Sequence, residues 1–506
     1  VTPNKILSLA QLAERLTAAK SQGRRVVLCH GCFDLMHPGH IKHFEAAKKF
    51  GDVLVVTITP DKQVNKGPGR PVFNERLRAE SIAALAVVDF VAINEWPTAV
   101  ETLKMLKPHV YVKGQEYSDP EKDVTGKIRD EQEAIESVGG QLCFTDEISF
   151  SSTSLINAHF EILTAEARDY LRRFKTQYSA DDVLAALHRI RGLKILVVGE
   201  AIIDEYHYCR PLNRASKAWV ITAQFLEAEQ QAGGALAVAR HLHGFTENVQ
   251  LLTVAGKEEN YADFIRATLP GAIRLHLVQR DEAPTVVKRR FVEPAFYNKM
   301  FEICFMDERG LSPHEEAQAL EALQDGLRWC DLALVCDFGH GFVTPKMIEL
   351  LTEKAAFLAV NAQTNSANLG YNLITKYPRA DYVCIDENEL HLAMRDRHGP
   401  IEPLIAQLSK QMRCEKINIT LGRRGTVFFN NGKFHYAPIF STEVVDTIGA
   451  GDAFLSITAP CVSQNAPPEM VAFVGNSVGA LAVKIVGNRS AVNPVDLFKT
   501  VNGLLR

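Results

Sequence analysis

The chain has 506 residues, 46% of them hydrophobic and 23% charged, with a formal net charge of -4 at pH 7. That length holds about two to four domains with sizeable cores, and the composition is that of an ordinary globular protein. The near-neutral balance excludes charge-driven binding of nucleic acid or membrane surfaces, and no apolar run reaches the ~20 residues of a membrane span or reads as a signal peptide.

Residues 4–17 place Ile6, Leu7, Leu9, Leu12 and Leu16 at the spacing of an amphipathic docking helix. From Arg25, β-branched runs at 26–29, 53–58, 87–93 and 110–112 alternate with helical patterns at 41–50, 75–85 and 98–106. This alternation predicts a parallel sheet covered on both faces, with ligands at the C-terminal ends of its strands. The loop after the first strand reads Gly31-Cys32-Phe33-Asp34-Leu35-Met36-His37-Pro38-Gly39-His40. Two imidazoles three apart at a helix start can face one ligand together, and phosphate contact suits them. With His43 they could instead hold a metal, although no nearby carboxylate completes a set. Cys29 and Cys32 form a C-x-x-C pair, a redox or metal pattern with no second pair to complete a zinc site. The ten cysteines otherwise lack a repeated spacing, as expected of buried thiols in a reducing cytoplasm.

Further on come Gly67-Pro68-Gly69-Arg70-Pro71-Val72 with Glu75 and Arg76, Val112-Lys113-Gly114 with Tyr117, and Ser151-Ser152-Thr153-Ser154 at a helix start. Together with the His-x-x-His loop, this set resembles the HxGH nucleotidyltransferases over about residues 24–158. It most resembles the nucleotidyltransferase half of the bifunctional heptose enzymes of lipopolysaccharide synthesis. The resemblance implies a Rossmann-like domain over 1–159 that takes ATP or CTP and a sugar or polyol phosphate. In it His37 and His40 would stabilise the transition state on the phosphates, and Lys113 would steady charge on the acceptor or α-phosphate. Gly31, Phe33, Arg70, Ser152, Thr153 and Ser154 would bind nucleotide and Asp34 the acceptor. Hydroxyls and free N–H groups at a helix start suit a triphosphate.

Residues 160–192 change character. Glu166, Arg168, Asp169, Arg172, Arg173 and Lys175 alternate in sign among Tyr170, Leu171 and Phe174, and a second helix follows over 180–190. They read as a helical linker, with packing against a partner chain as one use. From Lys194 a second α/β unit begins, with strands at 195–199, 251–255, 332–336, 357–360, 382–385 and 417–420. A hairpin over 285–292 and 299–305 brings Lys288, Arg289 and Arg290 within reach of an acidic substrate, unless the triplet is only a surface strand edge. Near the end stands Asp446-Thr447-Ile448-Gly449-Ala450-Gly451-Asp452-Ala453-Phe454, after a β-type run (Thr442, Val444, Val445) and before a helical pattern. Its glycine-rich turn points N–H groups at an anion, and Asp452 beside that anion can take a hydroxyl proton.

That string resembles the signature of the ribokinase-like (PfkB) carbohydrate kinases, and the similarity runs from Lys194 to the C-terminus. It implies a ribokinase-like α/β domain with a small β lid over 193–506, acting through ATP and Mg2+. Asp452 would be the catalytic base, and Gly449, Ala450 and Gly451 the anion hole. Asp204, Gly233 and Gly234 align with sugar-binding positions, with Lys288 and Arg290 nearby. Thr420, Gly422, Gly425 and Asn476 align with the nucleotide pocket, and Asp386 and Glu389 could serve a magnesium ion through water. Departures cluster at Ala237, at Asn361-Ala362-Gln363 and at Asp386, and the loop 214–219 lacks the acidic residue of heptose kinases. The module order is the reverse of the heptose enzymes. The expectation is a cytoplasmic, dimeric, bifunctional enzyme of activated-sugar synthesis. The alternative is a single active nucleotidyltransferase carrying a degenerate kinase-like module.

Overall fold

A computed structural model describes residues 5–64, 70–115, 127–145, 163–214, 221–257, 261–295, 297–307, 309–366 and 368–505. The chain divides into two compact units, Val1–Ile162 with Phe498–Arg506, and Leu163–Leu497. Among the described residues no helix is long and apolar enough to cross a membrane.

The first unit is built on β1 (Val26–Gly31), β2 (Val53–Ile58), β3 (Phe90–Ile93), β4 (Val110–Gly114) and β5 (Gln141–Thr145). All pair in parallel in the order β3-β2-β1-β4-β5. β2 is buried along its whole length, as continuous apolar runs require when helices cover both faces. The strand order reverses beside β1, and the crevice beyond such a reversal is where open α/β sheets take ligands. The loop carrying His37 and His40 leaves β1 at that point. The first helix is Leu9–Ser21, started by a Ser8–Gln11 capping box rather than at residue 4. Leu9, Leu12, Leu16 and Ala19 bury against Leu28, Val53 and Leu103 of the same unit. Helix Lys127–Ser137 and β5 add to the elements expected from the sequence.

The second unit holds a nine-stranded sheet and a four-stranded one. In chain order the strands are β6 (Ile195–Gly199), β7 (Ala201–Arg214), β8 (Ile221–Gly234), β9 (Val249–Gly256), β10 (Arg274–Arg280) and β11 (Val286–Glu293). Then come β12 (Asn298–Phe305), β13 (Leu332–Asp337), β14 (Leu358–Ala362), β15 (Tyr382–Asp386), β16 (Lys416–Thr420), β17 (Thr426–Asn430) and β18 (Lys433–Ala437). The large sheet runs β10-β9-β6-β13-β14-β15-β16-β17-β18, parallel as far as β16 and antiparallel beyond it. The lid runs β12-β11-β7-β8, and the expected hairpin of β11 and β12 is present. Thr442, Val444 and Val445 form no strand. Val445 and Asp446 donate instead to the carbonyl of Val483, and both valines face solvent. β-branched residues there have no neighbouring strand to pair with.

Helices Ala165–Lys175 and Ala180–His188 belong to this unit. Phe174 stacks on Phe473 at 4.5 Å between ring centroids, and the Tyr170 hydroxyl donates to the carbonyl of Glu469. The apolar stripe of the charge-laced helix is therefore covered by its own chain.

Candidate active sites

In the first unit, His37 is the N-cap of helix Pro38–Lys48, with extended backbone, and Pro38 fills a first-turn position that needs no N–H. The three-residue step lays His40 nearly parallel to His37, ring centroids 3.8 Å apart. Phe33, in the left-handed region at φ 48°, meets His40 edge-on at 5.3 Å and packs over Gly31. Asp34 and Arg70 are both buried and pair with each other at 3.3 Å. Asp34 Oδ1 also accepts the N–H groups of Val72 and Phe73 at 2.7 and 3.2 Å. These two residues, expected on acceptor and nucleotide, are thus engaged in fixing the 70–73 segment to the histidine loop.

Arg78 carries no signal in the sequence, yet it is the largest fully buried side chain of this unit. Its guanidinium donates to the carbonyls of Phe73, Cys32 and Thr59 and to Asp61 Oδ1 at 2.6 Å. No local motif announces it; its partners lie on three separate segments.

At the end of β4, Lys113 Nζ lies 2.9 Å from Glu131 Oε2, which also accepts the Tyr111 hydroxyl at 2.9 Å. Burial alone would raise the Glu131 carboxyl, but Lys113 outweighs it and holds the group below the usual carboxylate value. His43 bonds Thr145 Oγ1 at 2.8 Å, and burial, with the charge of Lys113, pushes it down to about 4. Cys29 and Cys32 are free thiols, and burial raises Cys29 well above the ordinary range. Among the described residues no group of three His, Cys, Asp or Glu side chains could hold a metal. Ser152, Thr153 and Ser154 lie outside the described residues, as do Gly67–Gly69, Tyr117 and the 215–219 loop segment.

In the second unit the glycine turn opens helix Ala450–Ser463, with Gly449 as N-cap at φ 79°. That backbone favours glycine, and a Cβ there would come within 2.2 Å of Asn488 Oδ1. The N–H groups of a first helical turn have no partner within the helix and suit an anion; Ala450 meets the carbonyl of Thr447 only at 3.3 Å. Asp446 anchors the turn. Its carboxylate pairs with Lys299 and accepts from the Tyr206 hydroxyl and from the N–H groups of Ile448 and Gly487. Desolvation opposes this network and loses, so Asp446 titrates below its ordinary value.

Asp452 lies within the first turn, half-buried. Desolvation, then the charge of Asp204, raise its carboxyl and Lys288 opposes them, so that it is pushed up to about 7. Lys288 and Asp204 are register partners on β11 and β7. Alternation along β11 sorts the basic triplet. Arg290 shares the face of Lys288 and pairs with buried Asp204 and with Glu302, while Arg289 turns to Glu205 at 2.6 Å. Asn488 joins the two sides, donating to Asp204 Oδ2 at 2.9 Å while its amide oxygen backs onto Gly449. Gly233 is bare because a Cβ would sit 2.1 Å from Asp204 Oδ2, and Gly234 leads into helix Ala235–His243. Asn488 stands in no recognisable motif, and only the fold reveals it.

Farther along the sheet, Thr420 ends β16 ahead of Gly422 and Gly425, both at positive φ. Asn476 donates to the carbonyl of Ala437 at 2.9 Å, the carbonyl that also crowds Gly425. Asp386 and Glu389 form a capping box for helix Glu387–Met394. Both Glu389 oxygens accept N–H groups, from Asp386 and Thr364, yet burial and then the charges of Asp386 and Asp452 push it up to about 8. Asp386 and Asp452 thus both act on Glu389 through their charge, while N–H groups hold its two oxygens.

A lid-covered parallel sheet, with an anion turn and a raised carboxyl at one helix start, defines a carbohydrate kinase. The chain belongs to the pfkB family of carbohydrate kinases, whose model matches residues 193–495. A cytidylyltransferase-like model matches residues 28–159. The chain is 42% identical over 154 residues to the bifunctional protein HldE of Geotalea uraniireducens (strain Rf4). It is 41% identical over 152 residues to the HldE of Nitrobacter winogradskyi. The first match covers 30% of this chain and 30% of the relative, so the chain spans under a third of that protein. The fold is shared with phosphofructokinase-2 from Escherichia coli, at a TM-score of 0.50 and 14% identity, over 62% of this chain and 100% of the other.

Proposed function

We propose that the protein is a bifunctional enzyme of nucleotide-activated sugar synthesis. The second unit phosphorylates a sugar or sugar phosphate from ATP, with a heptose phosphate as the first candidate. The first unit transfers a nucleotidyl group from ATP or CTP to a sugar or polyol phosphate and releases pyrophosphate. The observation that carries the reading is that each phosphate-handling motif sits at a helix start on its own parallel sheet, each inside its own family match.

In the kinase step Asp452 takes the acceptor hydroxyl's proton as that oxygen attacks the γ-phosphorus and the bond to ADP breaks. The N–H groups after Gly449 receive the charge on the transferred group, and Lys288 adds a cation beside them. Asp386 and Glu389 would hold Mg2+ through water, and the ion would neutralise phosphate charge. Thr420, Gly422, Gly425 and Asn476 form the nucleotide side, and Asp204, Gly233, Gly234 and Arg290 the acceptor side. In the nucleotidyl step an acceptor phosphate oxygen attacks the α-phosphorus and pyrophosphate leaves. His37 and His40 stabilise that transition state and Lys113 offsets its charge, with Gly31, Phe33, Arg70 and Ser152–Ser154 on the nucleotide and Asp34 on the acceptor side. The ten free thiols suit a cytoplasmic setting. Phe301, Ile303 and Phe305 are exposed at alternate positions of β12, an apolar lid face suited to a homodimer.

The test is to mix pure protein with ATP or CTP and a panel of sugar phosphates, following ADP and pyrophosphate separately. Absence of both products across hexose, heptose and polyol phosphates would overturn the reading. The second reading, a degenerate kinase unit, predicts pyrophosphate without ADP; the raised Asp452 carboxyl and the built anion turn speak against it.

A further inference from the structure

The segment after β13, Asp337-Phe338-Gly339-His340-Gly341-Phe342, is held far more firmly than a connecting loop needs. Glu200, fully buried at the end of β6, accepts the N–H groups of Phe338, His340 and Phe342 at 3.0, 3.0 and 3.4 Å. Asn372 and Asn368 donate to the carbonyls of Asp337 and Phe338 at 2.9 Å each. Asp337 is fixed in turn by Tyr377 at 2.6 Å and by Lys376. All this order presents His340, which is buried with 1% of its surface exposed. Neither of its ring nitrogens has a hydrogen-bond partner among the described residues.

A buried imidazole with both nitrogens unanswered is costly, and such groups mark places where a ligand completes the bonding. The surroundings say which ligand. The segment lies at the C-terminal ends of β6 and β13, and the charge of Lys288 is felt both by His340 and by Asp452. Burial, with Lys288, pushes His340 down to about 4, so its ring is neutral near pH 7 and offers one donor and one acceptor. A phosphate would turn to Lys288 and the helix start; a hydroxyl matches a neutral imidazole.

We propose that His340 reads a hydroxyl of the phosphoryl acceptor, donating to it through one ring nitrogen or accepting from it through the other, and so sets which sugars the kinase unit takes. This rests on the kinase reading above for the identity of the ligand. The experiment compares wild type, His340→Asn and His340→Phe on hexose and heptose phosphates and their monodeoxy analogues. ADP formation and calorimetric binding are both measured, and the melting temperature of the kinase unit in each variant serves as the control for an intact fold. The expected result is a loss of about 100-fold in kcat/KM for the preferred acceptor in His340→Phe, smaller in His340→Asn. One monodeoxy analogue should be used equally poorly by wild type and His340→Phe, because the hydroxyl that His340 reads is gone. Equal losses for the acceptor and every analogue, or no loss, would overturn the proposal, as would a wild type that binds no member of the panel. If the wild type forms no ADP but binding keeps the same contrast, the kinase reading fails and His340 is left reading a hydroxyl of a bound sugar phosphate.

Discussion

Replacing Asp452 by asparagine separates catalysis from stability and tests both. The carboxyl is lifted from 3.8 to about 7, by desolvation first and the charge of Asp204 second. Each tenfold change in proton affinity corresponds to about 1.4 kcal/mol, so a rise of about three powers of ten sets a ceiling near ~4 kcal/mol. Asp452 is only half-buried, and solvent screening reduces that to about 1–2 kcal/mol. The sign follows from linkage: a carboxyl raised in the folded state is protonated in both states below about pH 4, where it costs nothing. The cost grows as pH rises from about 4 to about 7 and is constant above. The Asp452→Asn variant carries no such cost, so it should unfold later than wild type at about pH 8, with that advantage gone at about pH 4. Thermal unfolding of the full chain at several pH values, followed for the transition that Gly449→Ala lowers, measures this. ADP formation should meanwhile fall about 10²–10⁴-fold, as for a lost general base. In the wild type, kcat/KM for the acceptor should drop about tenfold per pH unit below about 7. A variant less stable than wild type at pH 8, a gain independent of pH, or intact ADP formation would refute the reasoning.

His40→Ala should cut pyrophosphate release about 10²–10³-fold while ADP formation continues, read in parallel assays on one preparation. Gly449→Ala brings a methyl to 2.2 Å from Asn488 Oδ1 at φ 79°. It should cost about 1–2 kcal/mol from the backbone alone, lower ADP formation by about tenfold or more, and leave pyrophosphate release intact. Arg78→Ala removes a buried guanidinium with four anchors. It should destabilise the first unit by about 3–5 kcal/mol, lowering the melting temperature of that unit alone in calorimetry.

Periodicity makes the alternating strands and helices of both sheets legible, since each apolar run lies between two helical layers. The two phosphate loops are legible because local chemistry fixes them: a proline and glycine between histidines, and a glycine turn before an aspartate. Val444 and Val445 mislead because strand propensity needs a partner strand, and the neighbour there is the end of a helix. β7 and β8 escape notice because polar residues break their apolar runs: β7 is buried from Ala201 to Cys209 except at His207, yet carries Asp204 and Glu205 there, and β8 is exposed from Ala223 to Ala228. Arg78, Glu200 and Asn488 cannot be read at all. Their partners lie 17 to 46 residues away for Arg78 outside its own turn, 138 to 142 for Glu200 and 257 to 284 for Asn488.

The stacking of Phe174 on Phe473 has a practical corollary for anyone who wants to cut the chain. A kinase fragment begun at residue 193, where the family match starts, would strip Tyr170 and Phe174 from Phe440 and Phe473 and leave a greasy scar on helix Pro468–Ala482. Begun at residue 163, the fragment keeps its own cover and should stay dispersed in water.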